Sequence, residues 1–108
     1  VDLLLDDVYQ TLKTHLPGQV YKKYSCVQGL GEFALKKRVP FLWFFTRLKT
    51  IGEIRYSLSS YLIVDLYKSE YYYQDNMDGK LKGLEADFRN RGFLTKWDTV
   101  DVNIGVKR

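Results

Sequence analysis

The sequence predicts an α+β protein: a mixed, mainly antiparallel sheet with two helices packed on one face, in the order α-β-β-β-α-β. Three observations carry this. Two stretches repeat apolar residues at the three-to-four spacing of a helical face, and several others alternate with the period of a strand. A high aromatic share, 16%, with only two prolines leans the remainder towards strands. The 108 residues, 45% of them hydrophobic, suffice for a single domain over 1–108 with a core of its own.

The first helix is read from "VDLLLDDVYQTLKTHLPG", where Val1, Leu4, Leu5, Val8, Leu12 and Leu16 form one face. Asp2, Asp6 and Asp7 suit the positive N-terminal end of its dipole, and Lys13 and His15 the negative C-terminal end. Pro17-Gly18 stops it. Residues 19–25 are β-rich and short. Residues 26–38 hold two glycines and no clear period, so a loop is expected there. Its basic end, Lys36-Lys37-Arg38, reads either as a phosphate or partner contact or as a solvated loop end.

"VPFLWFFTRLK" (39–49) reads as a strand whose first half is apolar on both faces and therefore covered on both. "TIG" (50–52) reads as a turn. "EIRYSLSSYLIVDLYK" (53–68) then alternates, with Tyr56, Leu58, Ser60, Leu62, Val64 and Leu66 on one side. In the second helix Met77, Leu81, Leu84 and Phe88 share a face, Asp75 or Asn76 caps the start, and Gly92-Phe93 supplies the stop. A last half-buried strand places Val100, Val102, Ile104 and Val106 together.

The two central strands read as about 10 and about 14 residues, against an ordinary five or six. At roughly 3.3 Å per residue the longer spans about 45 Å, beyond a small domain's diameter of about 30 Å. A long central β-hairpin that projects past the core is the expectation. The longer strand leads into Tyr71-Tyr72-Tyr73, so these three and Tyr67 are expected on the projecting ribbon as a partner surface, alongside Lys36, Lys37 and Arg38. The competing reading ends the strand near Tyr67 and leaves the tyrosines as caps on the core edge.

Composition excludes several classes. One cysteine, Cys26, forbids a disulfide framework and suits a reducing, cytosolic compartment. One Cys and one His do not make a metal site without suitably spaced carboxylates. No basic-then-apolar start marks a secretory leader. The longest apolar run, Val39 to Phe45, is far short of the roughly 20 residues of a membrane helix, so no membrane partner is expected. His15 reads as a helix-dipole partner rather than a base, Cys26 lacks an activating motif, and "GLGEF" (29–33) lacks the third glycine of a phosphate loop. No catalytic residue, cofactor or metal is expected; the protein reads as a non-enzyme.

The pattern resembles the tail terminator, or tail completion (tail-to-head joining), proteins of long-tailed bacteriophages. The likeness lies in the N-terminal amphipathic helix and short strand, the proline-aromatic strand "VPFLWFF" (39–45) and the strand ending "YLIVDLY" (61–67). The helix closing in "RNRGF" (89–93) and the final strand "DTVDVNIGV" (98–106) complete it. It spans most of the chain; the basic loop and the triple tyrosine depart from it. The resemblance implies a virion protein, made in the host bacterial cytoplasm, that forms a ring, a hexamer, at the head-proximal end of the tail tube. Its partners would be its own copies, the tail tube protein and the head-closure or connector protein. Genome DNA would pass through without sequence-specific binding.

Two alternatives compete. One is another neck or head-completion protein of the same virion. The other is a small basic nucleic-acid-binding domain, for which a net charge of +4 and an α-β-β-β-α order like that of double-stranded-RNA-binding domains speak. Against it, "DNMDGKLKG" puts Asp75 and Asp78 where such domains carry a lysine cluster, and no specific binding is expected.

Overall fold

Helix α1 (Asp2–His15) is followed by four strands: β1 (Val20–Lys23), β2 (Leu30–Phe41), β3 (Phe45–Ser57) and β4 (Tyr61–Leu66). Two helices, α2 (Ser69–Gln74) and α3 (Met77–Asn90), then lead to the last strand, β5 (Val100–Ile104). The computed structural model describes residues 2–23, 30–57 and 61–105, with side chains from residue 5 on. The five strands form one sheet in the order β1-β2-β3-β4-β5. Pairing is antiparallel up to β4, while β5 lies parallel to β4, because a helical crossover rather than a hairpin joins them.

The class is the expected one, α+β with a mixed, mostly antiparallel sheet and helices packed against it. One core joins both main helices to one sheet face. Val8 and Leu12 of α1, Leu16 just after it, and Met77, Leu81, Leu84 and Phe88 of α3 are buried with Phe33, Leu35, Ile54, Tyr56, Leu62, Val64 and Leu66 of the strands. The expected cluster of Leu62, Val64, Leu66, Leu84 and Phe88 lies inside it. Tyr56 brings a hydroxyl into this core and donates it to the Phe93 carbonyl at 2.7 Å, so no buried polar group is stranded there.

Four readings of the strands need correction. Residues 30–38, expected as loop, belong to β2, because β1 pairs with 32–35 on one side and β3 runs along the other. Cys26 lies outside the described residues. The expected strand 39–49 is instead cut by a turn at 42–44. No turn residue stands there; Leu42 itself takes the left-handed conformation, φ 63°, at a steric cost of about 1–2 kcal/mol for an L-residue.

The expected turn at Thr50–Gly52 is a β-bulge within β3. Leu35 pairs with Gly52 but Lys36 with Thr50, which leaves Ile51 over. Gly52 is required: a Cβ there would sit 2.2 Å from the Asp65 carbonyl oxygen. Finally, the expected strand 53–68 is two antiparallel strands. Ser57 pairs with Tyr61 and Tyr56 with Leu62, so the reversal keeps the same parity on the same face and the alternation reads straight through it. Leu58 and Ser60 lie outside the described residues. The order therefore has one strand and one short helix more than expected.

The face away from the helices is polar. Asp65, buried on an otherwise apolar strand, accepts from Arg55 Nη2 at 2.9 Å and Asn103 Nδ2 at 2.8 Å. At the end of α3 the predicted glycine stop is a complete Schellman motif. Gly92 has φ 81°, the Phe93 amide donates to Phe88 O at 2.8 Å, and the Gly92 amide to Arg89 O at 3.1 Å. Phe93 also packs edge-on against Phe88, ring centroids 5.2 Å apart. The start of α3 differs from expectation. Asn76 holds the cap position without a side-chain cap bond, and Asp75 is engaged elsewhere.

Candidate interaction surface

β2 and β3 pair over far more length than the rest of the sheet can use. β1 covers only residues 32–35 of β2, and β4 only 52–57 of β3. Beyond the bulge, six pairs from Lys36↔Thr50 to Phe41↔Phe45 continue as a ribbon of two strands, about 20 Å long at 3.3 Å per residue. The molecule accordingly measures 45 Å in its long direction and only 27 and 25 Å in the others. A long hairpin was expected; its place is 30–57, not 39–68. Pro40 is tolerated because this part of β2 has a free outer edge.

The end of the ribbon is apolar and uncovered. Phe41, Leu42, Trp43, Phe44 and Phe45 are all exposed, Trp43 at 96% and Phe44 at 77%. Phe44 and Phe45 touch each other, centroids 4.7 Å apart, and Arg47 lies 5.2 Å above the Phe41 ring. Five consecutive large apolar side chains in solvent, on a ribbon that is marginal by itself, are the outstanding surface feature among the described residues. Single exposed apolar residues need no explanation, but a contiguous patch marks a contact surface.

The residues named from sequence lie elsewhere or do other work. Tyr71, Tyr72 and Tyr73 are not on the ribbon but on the short helix α2, which packs on α3 and β4. Tyr71 and Tyr72 are half-buried against the core, while Tyr73 is 73% exposed. The Tyr72 hydroxyl donates to Asp78 Oδ1 at 2.5 Å. That bond raises the Tyr72 hydroxyl above the usual phenol value and, with Lys82, holds the Asp78 carboxyl below its own. Lys37 is drawn into the same corner: Nζ lies 2.6 Å from Asp75 Oδ1 and 5.6 Å from the Tyr71 ring centre.

Lys36 and Tyr67 meet on the opposite face. With Lys23, Ala34, Thr50 and Glu53 they line a shallow depression of about 450 Å³. Lys36 Nζ also sits 5.2 Å over the Tyr21 ring. Arg38, out on the ribbon, donates to Thr46 Oγ1 at 3.2 Å. Lys37 and Tyr71 are thus brought together at the base of the hairpin, Lys36 and Tyr67 on its other side, and Tyr73 meets only the edge of Tyr72 among these residues, ring centroids 5.1 Å apart.

A second shallow cleft, about 170 Å³, lies between α3 and β5 and is lined by residues including Tyr72, Leu81, Glu85, Val100 and Val102. Glu85 spends one carboxylate oxygen on the Val100 amide at 2.9 Å, which secures the start of β5. His15 joins α1 to α3 through Asp87, Nε2 to Oδ2 2.8 Å, and Arg91 bonds the other carboxylate oxygen at 2.7 Å. These two partners, His15 first, hold the Asp87 carboxyl below the usual range. Among the described residues no group of three or more His, Cys, Asp and Glu side chains is placed to hold a metal ion, and no helix is long and apolar enough to cross a membrane. No protein-family model, curated protein or solved structure matches the chain.

The tip was missed from sequence because seven apolar residues in a row read as a strand covered on both faces. A signal was available: the run is flanked by "KKR" and "RLK", and a fully covered strand has no need of cations on both sides.

Proposed function

We propose that this is a structural virion protein that assembles into a ring at the head-proximal end of a bacteriophage tail tube, ends tube growth and joins the tail to the head connector. One observation carries the proposal: a two-stranded ribbon that leaves its own domain and ends in five exposed apolar side chains. A projecting element that inserts into a different patch on the next copy makes a heterologous contact. Such contacts close into a ring when the rotation between copies allows. Aromatic side chains seated centrally in that contact would supply its binding hot spots. The resemblance of residues 39–45, 61–67, 89–93 and 98–106 to tail terminators selects the tail ring among the rings this geometry permits. The expected tyrosine interface gives way to the tip, since Tyr71 and Tyr72 serve the domain's own core edge.

The double-stranded-RNA-binding reading loses the support of element order, because four strands, two helices and a fifth strand follow α1 rather than three strands and one helix. Light scattering of the purified chain, alone and mixed with tail tubes, tests the ring. Wild-type protein should give a closed oligomer of defined size on its own or on the tube. Trp43→Ser with Phe44→Ser should melt like wild type and fail to assemble, and virions made with it should carry tails of uncontrolled length or tails detached from heads. Normal virions from that variant would overturn the proposal.

A further inference from the structure

The charge of this protein is segregated. Residues 36–50 carry Lys36, Lys37, Arg38, Arg47 and Lys49 and no acid at all. They account for five of the seventeen basic residues and none of the thirteen acidic ones, which leaves twelve bases against thirteen acids in the rest of the chain. The whole positive excess therefore sits on the projecting ribbon. Of the five cations only Lys37 has a carboxylate partner among the described residues, Asp75. Lys37 and Lys49 stand directly opposite each other across the ladder, a pairing that costs stability. Fold stability does not account for such a stem.

We propose that the stem of the β2–β3 hairpin binds the phosphate backbone of duplex DNA without reading its sequence. This goes beyond the ring reading and does not depend on it, since a single chain carries the whole stem. Three features select the occupant. First, the cations lie on both faces of the ribbon: Lys37, Arg47 and Lys49 on one, Lys36 and Arg38 on the other, as the register requires. A flat acidic protein surface would engage one face, whereas a DNA groove flanks a ribbon with phosphates on both sides, and the major groove is wide enough to admit two strands. Second, residues 36–50 contain no Asn, Gln, Asp or Glu, so adenine and cytosine edges find no bidentate partner there, and guanine alone would compete with phosphate for the same Arg and Lys side chains. Third, the exposed aromatics are gathered at the tip rather than spaced between the cations, so the stem lacks the row of stacking platforms that single strands use.

The test is fluorescence anisotropy with two labelled duplexes of unrelated sequence over a salt series. Wild-type protein should bind both alike. Four unpaired cations predict a slope of log K on log salt of about −3 to −4, hence roughly a hundredfold loss between about 50 and 200 mM. Arg47→Gln alone should lower the slope by about 1, and glutamine at Lys36, Arg38, Arg47 and Lys49 together should abolish binding. Lys13→Gln on α1 and Trp43→Ser at the tip should change nothing. If the fourfold variant does not fold, the single-variant slope decides. Binding that ignores salt, a slope unmoved by Arg47→Gln, or binding confined to single strands and lost with Trp43→Ser would each overturn the proposal. Light scattering with tail tubes separates it from the ring: stem variants should still assemble, and tip variants should still bind DNA.

Discussion

Phe41–Phe45 and Tyr71–Tyr73 are two aromatic-rich runs, and the first lies wholly in solvent while two of the three tyrosines are half-buried at the edge of the core. The first lies on extended backbone that has already left the sheet. It reverses at Leu42–Phe44 with no second layer above it, so all five side chains stay in water. The second lies on one turn and a half of helix, where successive side chains point about 100° apart. Two of them then reach the core and the third does not. Whether an aromatic is interface or core edge depends on whether its backbone lies over another layer. Composition does not carry that information.

The comparison can be sharpened at its buried limit. Phe88, fully buried between Tyr56 and Phe93, should cost about 3–5 kcal/mol when replaced by alanine. Chemical denaturation should show the loss as a lower midpoint with unchanged slope. A loss no larger than that of a surface substitution would mean that α3 does not close this core.

The two runs themselves should then separate. Tyr71→Ser with Tyr72→Ser removes two half-buried rings and should destabilise the monomer by about 2–4 kcal/mol in total, part of the cost of full aromatic burial. Trp43→Ser with Phe44→Ser should stay within about 0.5 kcal/mol of wild type per site, because nothing in the monomer covers those side chains. Thermal melts of the two double variants side by side measure the difference. Equal melting temperatures would erase the distinction between tip and core edge.

The smallest effect concerns the ion pairs that hold the body rather than the ribbon. Asp87 has a lowered pKa in the folded protein, so its contribution to stability is present in full above the ordinary carboxylate range. It is lost as pH falls through the lowered folded value. With partners about a quarter to a half exposed, it should amount to about 1 kcal/mol or less. Asp87→Asn should be less stable than wild type at neutral pH, and the gap should close on acidification below about pH 4. A gap that persists at acid pH would assign the loss to packing instead of charge.

Both helical periods were legible, because 3.6-residue spacing survives any tertiary context that buries one face: Val8, Leu12 and Leu16, and Leu81, Leu84 and Phe88, are buried as read. The same holds for Leu62, Val64 and Leu66, and for the glycine stop at Gly92. Strand ends were not legible. Gly52 signals a turn and a bulge equally well by itself, and only the pairing of Leu35 with Gly52 and Lys36 with Thr50 distinguishes them. The hairpin tip was illegible for the opposite reason, since no glycine, asparagine or aspartate marks the reversal at Leu42. Of the surface residues named in advance, Lys36, Lys37 and Arg38 do lie along the stem, but the apolar tip beside them had been assigned to the interior.

By itself the sequence determined where the two long helices run and which residues share their buried faces and that of the strand through Leu62, Val64 and Leu66. Each is a local or additive property, set by side-chain chemistry and backbone period. Tertiary structure alone decided which segment overshoots. The free length of β2 and β3 depends on where their neighbours stop: β1 covers residues 32–35, and β4 covers 52–57. Those limits come from pairings between residues far apart in the chain, which no local pattern encodes. They leave the stretch from Lys36 to Thr50, with its cations and its aromatic end, outside the body that the rest of the sequence builds.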